Sequence, residues 1–275
     1  MKITQRHVFW GFLLVLLLAT AIAKAMGDDG IILGEPPIAP EYMKMIPPAE
    51  PLEVQAVSLS INPASRDASR NFYLTYYANA AQPAINWTGN VSTCNAGDTA
   101  AAFKDAVALR INYFRAMAGV PANITLSTAY NTVAQKAALM MSANGTLNHY
   151  PPSTWACYSA AGYDGASHSN LSLGSYGWGA ISGYMEDSGA YNSAVGHRRW
   201  LLYPQSQSMG TGDIPPTSGY WSANALRVMD NYGAARPATR EEYVAWPINN
   251  LSLCIRPVPV GESEAKHYKK NSDKR

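Results

Sequence analysis

The chain has 275 residues, a formal net charge of +2, 15% charged residues and 17 Tyr among abundant Asn, Ser and Gly. With no basic stripe on any predicted helix, this composition gives no argument for nucleic acid or for an anionic membrane surface as partner. It suits a hydrogen-bond-rich exported surface, and the length suits one large domain with a sizeable core.

Residues 1–25 read as a secretory signal. Lys2 and Arg6 form the positive start, Phe9 to Ala23 the apolar run, and Ala23-Lys24-Ala25 a small-x-small cleavage site. The run is roughly 15 residues against the ~20 that cross a bilayer, so no stable membrane insertion is expected after signal removal. The mature chain is expected to begin near Met26 and to be secreted or extracytoplasmic.

Residues 26–64 carry Pro36, Pro37, Pro40, Pro47, Pro48 and Pro51 without a helical period, and read as an extended linker. Ser65 then caps a helix containing Phe72, Leu74, Tyr76 and Tyr77. Thr99 caps a second, with Phe103, Val107, Ile111, Phe114 and Ala118 at helical spacing, and Gly119 and Pro121 stop it. A third follows Ser127, keeps Val133, Ala137 and Met140 or Met141 on one face, and stops at Asn144-Gly145. Residues 153–179, rich in Gly, Ser and Tyr, show neither period and read as long loops feeding a short helix around Ile181 to Met185. Met209 to Gly212, Ala225 to Met229 and Tyr243 to Trp246 read as strands. Helices first and strands later predict an α+β fold. One domain is expected over 65–256, with its core about 99–230, followed by a disordered charged tail over 257–275.

Cys94 and Cys157 both sit in loop-like sequence flanking the central helices and are expected to form a disulfide, leaving Cys254 over. Closing so long a loop is worth roughly 4 kcal/mol in the chain-entropy model. Six N-x-S/T sequons stand at Asn86, Asn90, Asn123, Asn144, Asn170 and Asn250, a motif common by chance in such a composition.

The densest chemistry lies between Gly183 and Pro204, where Glu186 and Asp187 precede His197, while His149 stands upstream in Leu147-Asn148-His149. Two imidazoles and an acid form the smallest kit for moving a proton or binding a divalent cation such as zinc in a weak, exchangeable site. Each also has an ordinary explanation, since a loop His is most often a surface or hydrogen-bonded residue. A hydrolase needs a nucleophile or activated water, yet Ser169, Ser172 and Ser175 lie in no G-x-S-x-G elbow and no HExxH helix is present.

Taken together, Asn112 to Arg115 (an N-x-x-R), Asn148-His149, Gly196-His197-Arg198 and Met209-Gly210-Thr211-Gly212 make the chain resemble the CAP superfamily of SCP-like extracellular proteins in its bacterial form. The resemblance runs from about Thr99 to Asp230. It implies a three-layer α-β-α sandwich with a surface cleft lined by two His and two acids, here His149, His197 and Glu186, with Asp187 able to exchange roles with Glu186. Where the family commonly shows G-E-N, this chain has Ser169-Asn170-Leu171, so a hydroxyl replaces the first acid, and His168 stands ready as a third imidazole. Losing that carboxylate weakens cation binding and any two-carboxylate acid/base mechanism. The expectation is therefore a small-molecule, lipid or peptide ligand in a cleft where both imidazoles converge. A cation- or His-assisted extracellular hydrolase or peptidase, and an envelope structural protein with a vestigial cleft, are the alternatives.

Overall fold

The structure, a computed structural model, describes residues 30–38, 58–189, 194–230, 232, 236–244 and 246. The signal read over 1–25, the tail at 257–275, Cys254 and the Asn250 sequon lie outside them. In chain order the elements are β1 (Ile32–Leu33), α1 (Arg66–Tyr73, continued by a π turn over Leu74–Ala78), α2 (Ala101–Ala118), β2 (Thr125–Leu126), α3 (Thr128–Asn144), α4 (Ala160–Ser167), β3 (Ser169–Leu173), α5 (Gly177–Glu186), α6 (Gly196–Leu201), β4 (Ser208–Ile214) and β5 (Ala223–Arg227).

The first three helices follow their punctuation. Ser65 accepts from the Ala68 N–H at the start of α1, and Gly119 and Gly145 end α2 and α3 in the left-handed conformation that a glycine adopts without a Cβ clash. Thr99 is not the cap of α2. That position falls to Ala100, whose carbonyl accepts from Phe103 and Lys104, while Thr99 is buried and donates its own N–H to the Asp98 carboxylate.

The strands form one sheet in the order β1-β3-β5-β4-β2, antiparallel except where β2 runs parallel to β4. All residues of β3, β4 and β5 are buried, because helices cover both faces. Leu171, Leu173, Ile214, Ala223 and Ala225 join the apolar cluster of α3, whereas Met209, Leu226 and Val228 join that of α2, α5 and α6. This alternation builds an α-β-α sandwich.

The contact between α3 and β4 explains the Met209-to-Gly212 motif. A Cβ at Gly212 would sit 2.1 Å from the Ala134 carbonyl carbon, and one at Gly210 2.4 Å from that of Tyr130, so helix and strand touch backbone to backbone. Because β2 pairs only with Ser208 and Met209, the rest of the β4 edge is closed by α3 side chains. Asn131 accepts from the Thr211 N–H at 2.8 Å, and Gln135 accepts from the Asp213 N–H and donates to the Asp213 carbonyl, both at 2.9 Å. The match follows from rise: four helical residues advance about 6 Å, two strand residues about 6.6 Å.

Residues 153–179 are more regular than their composition. Ser159 caps α4 through the Gly162 N–H, and Gly165 is required where α4 meets α3, a Cβ there falling 2.2 Å from the Val133 carbonyl oxygen. Strand β3 is central although it reads Ser-Asn-Leu-Ser-Leu. Conversely, the described residues of Tyr243 to Trp246 lie in no strand. The Cys94–Cys157 disulfide is formed and ties the loop before α2 to the loop before α4.

Candidate functional site

Helix α5 ends at Glu186, and Asp187 takes the left-handed conformation (φ 53°) that turns its carboxylate inward. There Oδ1 lies 2.8 Å from His197 Nδ1, and Oδ2 accepts the Arg198 N–H at 3.1 Å. Both side chains of the pair are fully buried. The His197 ring stacks on Tyr184 at 5.6 Å between centroids, and its Nε2 is buried without a protein partner. Arg198 reaches back to the Met185 and Glu186 carbonyls at 2.5 and 2.7 Å, satisfying the end of α5. Asp187, not Glu186, is thus the acid paired with His197; the two adjacent residues differ because the chain leaves the helix between them, and Glu186 is exposed.

His149 is half-buried on the loop after α3. Its Nδ1 lies 2.7 Å from the Ala166 carbonyl and its Nε2 2.6 Å from the Glu35 carbonyl. Carbonyls only accept, so each bond needs an N–H from the ring: a neutral imidazole keeps one of them, the imidazolium both. The partner at Glu35 belongs to the segment read as a linker. Residues 30–38 are extended, as expected, but they pack onto the domain: Ile32 and Leu33 pair with Leu173 and Ser172 of β3, and the Gly34 N–H donates to the Leu171 carbonyl at 3.3 Å. Farther on, Trp200 Nε1 donates to the buried Pro37 carbonyl at 2.7 Å, and Pro36 rests on Gly196, where a Cβ would sit 2.2 Å from Pro36 Cγ.

This strap separates two cavities that share Pro36 and Ile38. The larger, about 680 Å³, runs along α6 and is lined by Trp200, Leu202, Tyr203, Pro204, Val244 and Trp246 with Arg198 and Arg199. The smaller, about 210 Å³, holds His149 with Leu147, Tyr150 and Leu171. His197, Asp187, Glu186, His168 and Ser169 line neither. The expected convergence of both imidazoles on one open groove is not the arrangement present, since the His197 ring is fully buried against Tyr184.

Ser169, at the position of the missing acid, points into the fold and donates to the Gly165 carbonyl at 2.6 Å. His168 joins a separate charge cluster: its Nδ1 is 2.8 Å from the Asp164 carbonyl and its Nε2 3.4 Å from the Asp230 carboxylate, while Arg227 pairs with Asp164 at 2.6 Å and Asp230 at 2.8 Å. The N-x-x-R residues are structural. Asn112 makes two bonds with the Ile124 main chain, and buried Arg115 donates to the carbonyls of Pro121, Leu201, Tyr203 and Ser206. Burial lowers the Arg115 guanidinium below its ordinary value.

A divalent cation would need three or more converging donors. Both His149 nitrogens face carbonyls, His197 Nδ1 is held by Asp187, and among the described residues no group of three or more His, Cys, Asp or Glu is arranged to hold a metal. The side chains as placed do not fit a resident cation. Trp200, Pro37 and the Glu35 carbonyl are the groove residues that sequence reasoning missed; the available signal was Pro36-Pro37 directly after the strand-like Ile31-Ile32-Leu33.

The family model described as the cysteine-rich secretory protein family, CAP, matches residues 109–224, which run from within α2 into β5 and include Asn112, Arg115, His149 and His197. No curated protein and no solved structure matches the chain.

Proposed function

Through residues 109–224 the chain belongs to the CAP superfamily, and from that premise we propose that it is an extracytoplasmic binding protein whose ligand is a small apolar or lipid-like molecule held along α6. The observation that carries this reading is the cavity of about 680 Å³ lined by Trp200, Leu202, Tyr203, Val244 and Trp246. Its size falls in the range of small-molecule sites, roughly 300–1,000 Å³, and its walls are apolar with few polar groups. Arg199 is exposed at the rim and favours a ligand with an anionic end. Export is supported by the signal-like residues 1–25 and by the Cys94–Cys157 disulfide. Among the described residues, no helix is long and apolar enough to cross a membrane.

A hydrolytic role is not favoured, because general acid/base work needs a ring nitrogen within reach of substrate, and His197 is fully buried while both His149 nitrogens face main-chain carbonyls. Calorimetric titration with laurate tests the binding reading. Saturable binding to the wild type is expected, lost in Leu202→Asp and weakened about fivefold in Arg199→Glu, in keeping with a rim charge worth about 1 kcal/mol. Identical heats from all three proteins would refute it.

A further inference from the structure

Residues 30–38 hold their place largely through main-chain atoms. The Ile32–Leu33 ladder on β3, the Gly34 N–H on the Leu171 carbonyl, the Glu35 carbonyl on His149 Nε2 and the Pro37 carbonyl on Trp200 Nε1 are contacts that any extended peptide can offer. Pro36 and Pro37, between and beside those carbonyls, carry no N–H and so add no donor to satisfy there, and their fixed φ holds the chain extended before it docks. Gly196 adds shape: only a residue without Cβ leaves the niche that Pro36 fills. We propose that the channel from His149 to Trp200 is a peptide-binding site for an extended, proline-containing segment of another polypeptide, which adds as a strand to β3 in place of residues 30–38.

The place of β3, covered on one side only by the short edge strand β1, supports exchange. Strand β1 contributes only two paired residues, and behind it β3 presents an edge ready to template another strand. Apart from Pro36 and the buried Pro37, side-chain anchoring of the native segment is light. Leu33 and Ile32 pack as partly buried residues on the two apolar clusters, Glu35 is exposed, and Ile38 is 77% exposed. A tethered segment competes at an effective concentration on the order of millimolar, so an incoming peptide binds the wild type weakly and gains when the tethered competitor is loosened. The channel shares Trp200 and the strap residues with the apolar cavity beside α6, but the peptide reading rests on the main-chain bonds of the strap, so peptide binding and laurate binding can fail separately.

The test uses the full chain and a fluorescein-labelled peptide with the sequence of residues 30–38, followed by anisotropy. Leu33→Glu weakens the tethered strand, and Gly34→Pro removes its donor to Leu171 by a second route. Each is expected to bind the peptide at least tenfold more tightly than the wild type. Adding Trp200→Phe to either should cost about three- to tenfold, the size of one hydrogen bond, and a peptide with both prolines changed to Ala should bind more weakly. The proposal is overturned by absence of saturable binding to folded strap variants, or by equal affinity with and without Trp200→Phe. Loss of folding in both strap variants would mark residues 30–38 as a permanent strand and overturn it too. A wild-type dimer in sedimentation that dissociates in Leu33→Glu would assign the channel to a second copy of this chain instead.

Discussion

Asp187 Oδ1 lies 2.8 Å from His197 Nδ1, with both side chains fully buried. The relationship fixes the orientation of α6, because the same carboxylate also receives the Arg198 N–H. Removing it leaves two orphaned donors in the interior. Asp187→Ala is therefore expected to destabilise the protein by about 3 kcal/mol in urea unfolding. Glu186→Ala, one residue away and exposed, should lie within about 0.5 kcal/mol of wild type. Equal losses would return Glu186 to the site.

Arg115 binds four main-chain carbonyls with a planar fork of donors. A lysine has the charge without the fork, so Arg115→Lys leaves buried carbonyls unmet and should cost about 2 kcal/mol or more. Because Leu201 ends α6 and Tyr203 and Ser206 follow it, the variant is also expected to loosen the groove wall, seen as faster hydrogen exchange at residues 200–206. Unchanged stability would show that a point charge suffices there.

Helices α1, α2, α3 and α5 were legible from their residues, and the disulfide was too. Apolar positions three and four apart marked α2 and α3, and Gly119 and Gly145 stopped them. Strand β3 was hidden for a physical reason: the Ser169 hydroxyl and the Asn170 amide N–H donate inside the protein, to the Gly165 and His197 carbonyls, so polarity did not mark a solvent face. Helix α4 was hidden by Gly162 and Gly165, whose small size serves packing against α3 rather than a turn. The order of motifs located His149 and His197 but not their surroundings. Whether a ring opens to a groove depends on the αL turn at Asp187 and on where residues 30–38 return, and neither leaves a periodic trace.

Asp213 is fully buried and accepts from the Gly177 N–H at 2.6 Å, Thr211 Oγ1 at 2.7 Å and Asn224 Nδ2 at 2.8 Å. Burial dominates over these donors and raises its carboxyl above the ordinary 3.8. Between that value and the raised one the folded state binds more protons than the unfolded chain. Stability from this group is therefore present at low pH and lost as pH rises through the folded value. In urea unfolding from about pH 4 to about pH 8, the wild type should lose stability relative to Asp213→Asn as pH increases. A difference that does not change with pH would contradict the assignment.

Gln135 closes the part of the β4 edge that β2 does not pair, with two bonds to one residue, the Asp213 N–H and carbonyl. Gln135→Leu keeps the volume and removes both partners, and should cost about 3 kcal/mol. Gln135→Glu retains the acceptor alone and should fall between. If the leucine variant is as stable as wild type, α3 seals that edge by packing and not by hydrogen bonding.

The most direct measurement on the central claim, that binding takes place along α6 beside the strap and not at a His197 acid/base centre, is hydrogen exchange across the chain with and without saturating laurate. Added protection is expected in residues 31–38 and 195–204, with little change in 205–230. Protection confined to segments outside those two, or none at saturation, would contradict it.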